Sequence, residues 1–191
     1  MLQMILLLFI VLDPFGNLVT INALLHKQTA AARRRIMFRE SLIALAVLLA
    51  AVFAAGPIMR ALGLQPYSLG VAGGIVLFMI AMGMVFPARK IVDDEELGDP
   101  LIVPIAVPFI AGPSTISFIL LLSQKHDRGT VAFSVFLAGL GSAVILTLSP
   151  TIYAFLGNRG SRTVERLMGM LLVMMSVQMV MDGIQAYLKA V

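Results

Sequence analysis

Asp13-Pro14-Phe15-Gly16-Asn17 is the stretch of this sequence best equipped for chemistry. It interrupts a run that is otherwise free of charge, residues 1–12 before it and 18–25 after it. The whole run is about 25 residues, enough to cross the ~30 Å apolar core of a bilayer. Asp13 then falls near the middle of the crossing. A carboxylate at that depth costs at least ~2.5–3.5 kcal/mol to insert, so such residues face a bundle interior or a wet cavity and are generally functional. Pro14 removes a backbone donor and Gly16 lowers helix propensity. The run therefore reads as two half-helices with a break between them, and broken backbone at that depth needs protein or a water-filled cavity to satisfy it. An acid beside unwound backbone can carry a proton or bind a cation. The plainer reading is that Asp13 only caps the second half-helix by accepting its first N–H groups; the two roles are compatible.

A second break, Ala111-Gly112-Pro113-Ser114-Thr115, has the same character without the acid. Ser114 and Thr115 open a half-helix whose free N–H groups favour an anion such as a carboxylate. The plainer reading is a kink with local hydroxyl capping. Asn17 and Thr20 extend the polar stripe from Asp13 if the helix resumes promptly, while Asn22 falls off it; Thr20 could equally bond its own backbone. Gln178 and Asp182, four residues apart, share a helix face and form a secondary candidate pair, with an interfacial acid as the plainer account of Asp182.

These groups must be positioned by membrane spans. The 191-residue chain is 60% hydrophobic and 13% charged, with a mean hydropathy of +1.00, far more apolar and less charged than a soluble domain. The expected fold is an all-α membrane protein with six transmembrane helices. The spans are the broken one, then residues 41–59, 67–86, 101–123, 131–156 and 167–187, with loops at 27–39 and 158–166. The loops between spans 1–2, 3–4 and 5–6 hold ten Lys and Arg against four elsewhere, which places those loops in the cytoplasm and both termini outside. No basic n-region precedes the first span and no A-x-A site follows it, so it reads as retained.

The halves resemble one another. Shifting the chain by 95 residues superposes Gly74, Leu77, Met79, Met84 and Val85 on Gly169, Leu172, Met174, Met179 and Val180, and a shift of 96 puts Gly16 on Gly112. Three spans per half require the second to run inverted. Residues 1–86 form the first three-helix repeat, 87–100 a charged cytoplasmic linker and 101–191 the second repeat, each opening with a Pro/Gly-broken helix. Paired broken helices at corresponding positions point to a transporter's binding site.

Other classes fit poorly. The basic residues sit in short loops, so the net charge of +4 does not suggest nucleic acid. There is no Cys, hence no disulfide and no thiolate site; no cofactor or metal is expected. His26 and His126 lie at loop edges, so a membrane serine protease lacks a base at depth. Asp13 and Asp182 lack the Tyr-Asp and Gly-x-Gly-Asp contexts of an aspartyl dyad. The chain is not expected to be an enzyme. Gly70-x-x-x-Gly74 permits close helix approach within the chain or in a homodimer. The methionines of the last span suit adaptable packing.

Asp13-Pro14-x-Gly16-Asn17, the basic run Arg33-Arg34-Arg35, Ile105-Ala106-Val107-Pro108 followed by Ala111-Gly112-Pro113, and Glu165-Arg166-Leu167-Met168-Gly169 through Gln178-Met179 to Asp182-Gly183-Ile184 resemble the MarC family of bacterial inner-membrane proteins. The resemblance covers nearly the whole chain. It implies six spans in two inverted repeats, kinship with LysE-type amino-acid exporters, and a place in the inner membrane as a multi-pass protein. With the paired breaks it points to a secondary transporter or exporter of a small solute, a neutral amino acid first, coupled to H⁺ or Na⁺ through Asp13. Asp13, Asn17, Ser114 and Thr115 would hold the substrate, with Pro14, Thr20 and Pro113 beside them and backbone freed at Gly16 and Gly112. The alternative class is a non-transporting assembly or signalling protein with structural breaks and Glu95-Glu96 in a docking loop; a channel is a third reading.

Overall fold

The computed structural model describes residues 1–25, 28–86 and 110–190, so His26, Lys27, the linker 87–100 and residues 101–109 lie outside the described residues. The docking loop around Glu95 lies outside them too. Among the described residues every regular element is a helix: α1 (Leu2–Leu12), α2 (Asn17–Leu24), α3 (Ala30–Leu62), α4 (Pro66–Val85), α5 (Pro113–Lys125), α6 (Arg128–Thr147) and α7 (Ser149–Leu188). Four of them, α3, α4, α6 and α7, are long and apolar enough to cross a membrane. The chain is an all-helical membrane protein. With 11, 8 and 13 residues, α1, α2 and α5 each fall short of the ~20 a span requires.

Two expected loops are helical. The basic stretch holding Arg33, Arg34, Arg35 and Arg39 forms the opening turns of α3, capped by Thr29, whose hydroxyl accepts the Ala32 N–H at 3.3 Å. Residues 158–166 belong to α7, which is interrupted at Gly157 (φ 65°, ψ 179°). Charge density marks where apolar solvent ends, but Ala, Arg and Glu are good helix formers, and the helix runs on past that boundary. Pro57 does not end α3, which continues to Leu62. The fifth span breaks earlier than expected: α6 stops at Thr147 and α7 starts at Ser149.

The main packing pairs are α4 with α7, α3 with α6, α4 with α5, α1 with α6, α3 with α5 and α2 with α7. The α4–α7 seam is antiparallel, and its glycines bring backbone close to both backbone and β-branched side chains of the partner helix. A Cβ on Gly74 would stand 2.8 Å from the Ser176 carbonyl oxygen, and one on Gly183 2.9 Å from that of Tyr67. Gly70 faces the Gly183 Cα across the same seam, so the Gly70-x-x-x-Gly74 motif serves packing within the chain. Small residues let helices approach where lipid gives no hydrophobic drive to associate. The seam continues into a core that includes Leu8, Ile21, Leu48, Leu77, Ile119 and Leu172. Of the α7 methionines only Met179 is in that core; Met170, Met174 and Met181 are exposed on an apolar outer face.

Candidate functional site

The first break is a tight local structure. Leu12 ends α1, and Asp13 adopts φ 45°, ψ 57°, the one non-glycine residue at positive φ among those described. Asp tolerates this left-handed region better than most residues. Its N–H donates to the Phe9 and Ile10 carbonyls at 3.2 and 3.1 Å, closing α1. Pro14 sits buried within the turn and donates nothing. The Gly16 N–H then donates to Asp13 Oδ1 at 3.0 Å, and the Asn17 N–H to the Asp13 carbonyl at 3.2 Å, which starts α2. Asn17 Nδ2 reaches back to the Leu12 carbonyl at 3.4 Å. One carboxylate oxygen of Asp13 thus closes the turn before α2, whose N-cap is Gly16 with no side-chain cap. The approach is so close that only glycine fits at 16: a Cβ there would collide with Asp13 Oδ2 and the Met84 Cε, and stand 2.7 Å from Asp13 Cγ.

The second break is open. Gly112 is extended (φ −74°, ψ 164°), Pro113 takes the first helical position, and no side chain caps α5. Pro at that position loses no bond, since its missing N–H would be unpaired anyway. Ser114 and Thr115 are buried, at 4% and 3% exposure. Their position in the first turn leaves their two backbone N–H groups without a partner inside the helix.

Both breaks border one cavity of about 450 Å³. Asp13, Gly16, Asn17 and Thr20 line one side; Gly112, Pro113, Ser114 and Thr115 line another. Leu77, Ile80, Gly83 and Met84 of α4, Glu165 and Leu172 of α7, and Val11 and Leu12 close it. Pro14 does not line the cavity, and neither does the secondary pair. Gln178 and Asp182 are exposed, and Gln178 Nε2 donates to Asp182 Oδ1 at 2.7 Å. They fall outside because the inward stripe of α7 runs through Gly169, Leu172, Ser176, Met179 and Gly183, leaving 178 and 182 on another face. Asn22 points elsewhere, toward Arg33.

Glu165 is the acid that sequence reading misses by assigning it to a loop. It stands near enough to Asp13 for the two carboxylates to interact electrostatically. The signal was present: Glu165 lies four residues before Gly169 and seven before Leu172, on the α7 stripe extended back by one turn. The arrangement offers acceptors from Asp13 and Glu165 and donors from the start of α5, the two polarities a zwitterion presents. No cluster of His, Cys, Asp and Glu suited to a metal ion exists among the described residues.

The comparisons with known proteins identify an integral membrane protein family. The family described as MarC family integral membrane protein matches residues 1–188. The UPF0056 inner membrane protein YhgN of Escherichia coli K12 is 40% identical over 190 residues, covering 96% of this chain and 95% of that protein. A UPF0056 membrane protein of Buchnera aphidicola subsp. Schizaphis graminum is 38% identical over 188 residues, covering 96% and 95%. One from Methanocaldococcus jannaschii is 33% identical over 189 residues, covering 93% and 83%. No solved structure matches. With a family match running nearly end to end and relatives this similar across their own lengths, the chain belongs to the MarC family of integral membrane proteins.

Proposed function

We propose that this protein is a secondary transporter of a small solute, a neutral amino acid first among candidates. The observation that carries the reading is the meeting of the two breaks at one cavity with opposite polarity. The Asp13 carboxylate faces the substrate's ammonium end. The uncapped start of α5, with Ser114 and Thr115, receives its carboxylate, as helix N-termini do for anions. Apolar side chains of α4 take a small side chain. A cavity of about 450 Å³ lies within the range of small-molecule sites. Asp13 and Glu165 together give the site a group to exchange with H⁺ or Na⁺.

The same reading completes the architecture. α1 and α2 make one broken span, α5 belongs to another, and the molecule has six spans in two inverted repeats. The packing supports this. Exchanging the segments of one half for their counterparts returns α4–α7 and α3–α6 to themselves and carries α2–α7 onto α5–α4. Arg34 Nη2 donates to the Thr151 hydroxyl at 2.9 Å, so the basic start of α3 and the first turn of α7 share one end of the bundle, assigned to the cytoplasm, with both termini opposite. Cysteine labelling from each side checks this in a chain that has no Cys of its own.

The test of function is a thermal-shift screen of purified protein against the twenty amino acids, followed by flux in proteoliposomes. A ligand at a hundred times its Kd that binds only the folded state stabilises it by ~2.7 kcal/mol. A selective shift lost in Asp13→Asn supports the reading. Absence of binding and flux for every amino acid removes the substrate assignment.

A further inference from the structure

The interruption of α7 at Gly157 builds a groove that the candidate site does not use. In a continuous helix Ile152 and Leu171 would stand about 28 Å apart, at 1.5 Å per residue. The positive φ of Gly157, 65°, breaks the run, and both residues line one groove of about 740 Å³. Phe155 and Leu156 join it from before the interruption, Val164 and Leu167 from after it, and Phe15 from the first break. It shares no lining residue with the cavity between the breaks. Among the described residues that line it, only Thr151 is polar. Phe155 and Leu167 are 90% and 56% exposed, so the groove opens to the outside of the bundle.

A concave apolar groove of this volume is in the range of ligand sites. It offers nothing to a polar occupant, whose lost hydrogen bonds to water would go unreplaced. The protein sits in a bilayer, and the acyl chains around it are the apolar occupant at hand. The rim selects among lipids. Thr151 holds a charge there: its hydroxyl accepts from Arg34 Nη2 at 2.9 Å, one of the five donors of a planar guanidinium. Arg34 is exposed, and such a fork matches phosphate oxygens in pairs. This is the end of the bundle assigned to the cytoplasm, where basic groups beside membrane helices recruit anionic headgroups. We propose that the bend of α7 is a binding site for one anionic phospholipid, with an acyl chain in the groove and the phosphate on Arg34. Phe15 brings the chain against the first break, because it stands between Pro14 and Gly16 and packs edge-to-face on Phe9 of α1, ring centroids 6.2 Å apart. The proposal does not rest on the transport reading.

The chain has no Trp, so each single-Trp variant reports on one place. The full chain carrying Leu156→Trp, in the groove, or Leu140→Trp, exposed on α6 and outside it, is placed in nanodiscs of phosphatidylcholine. Phosphatidylglycerol brominated on its acyl chains is then added in rising fraction. Half-quenching at Leu156→Trp is expected at about a five-fold lower fraction than at Leu140→Trp, the ~1 kcal/mol that one basic residue adds for an anionic headgroup. Arg34→Gln should erase the difference, while Arg35→Gln, exposed and not bonded to Thr151, keeps it. A Trp at 156 takes up part of the groove, so the phosphatidylglycerol retained by the chain without any Trp is also counted by native mass spectrometry. One retained molecule, lost in Arg34→Gln, supports the site by this second route, and Arg34 is exposed, so its replacement leaves the fold testable. Equal quenching at both positions with no retained lipid overturns the proposal and leaves ordinary boundary lipid. So does survival of both effects in Arg34→Gln, or their equal loss in Arg35→Gln, which would mark bulk charge. A mass of two chains without lipid overturns it too and gives the groove to a second copy.

Discussion

The two breaks share a Pro/Gly signature and do different things with it. At the first, the chain turns through a left-handed Asp13 and closes on itself, the carboxylate taking the Gly16 N–H. At the second, Gly112 stays extended and α5 begins with no cap. One break keeps a charge and spends its donors internally; the other has no charge and leaves its donors free. Two stretches with a shared Pro/Gly signature thus border one cavity, one bringing an acid and the other an uncapped helix start.

Removing the charge from the first break should have the largest effect. Asp13→Asn keeps an oxygen to accept from Gly16, so the turn survives, but the partner of a substrate ammonium is gone. Losing one member of a desolvated charge pair costs ~3–5 kcal/mol, so ligand affinity should fall at least a hundred-fold in a binding titration with little change in the unfolding midpoint. Unchanged affinity would mean that the first break is a structural turn alone. Gly16→Ala comes next: its Cβ overlaps the Asp13 carboxylate and Met84, and overpacking of this kind costs ~1–3 kcal/mol, read as a lower midpoint together with weaker binding. At the second break, Ser114→Ala and Thr115→Val should each weaken binding by about five-fold, the ~1 kcal/mol of a single hydrogen bond, leaving any coupling to pH or sodium intact. If either abolished coupling, the division of labour between the breaks would be wrong. Smallest of all, Asp182→Asn should leave binding within error, because its partner Gln178 and its exposure put it outside the cavity.

What could be read from the sequence was the contradiction: an acid, a proline and a glycine inside an apolar run have no comfortable place in a helix. Asp13, Gly16, Gly112 and Ser114 declared themselves that way. Glu165 did not, because Arg159, Arg162 and Arg166 around it look like a loop, and only the three-dimensional continuation of α7 turns it inward. For Gln178 and Asp182 the spacing correctly gave a shared face. Which face α7 turns inward is decided by where glycines meet the partner helix, and periodicity alone does not carry that. Ile152 and Leu171 likewise come to one groove only once α7 breaks at Gly157.

The glycine seam between α4 and α7 has a mechanical consequence. Glycine leaves no side chain to repack, and the valines it faces are stiff at χ1, so the seam has little room to shift register. Helices joined this way act as a single strut. On the transport reading proposed above, the motion that opens the cavity to alternate sides falls to the short half-helices at the breaks. A covalent cross-link across the seam should leave transport running, and one between α1 and α5 should stop it.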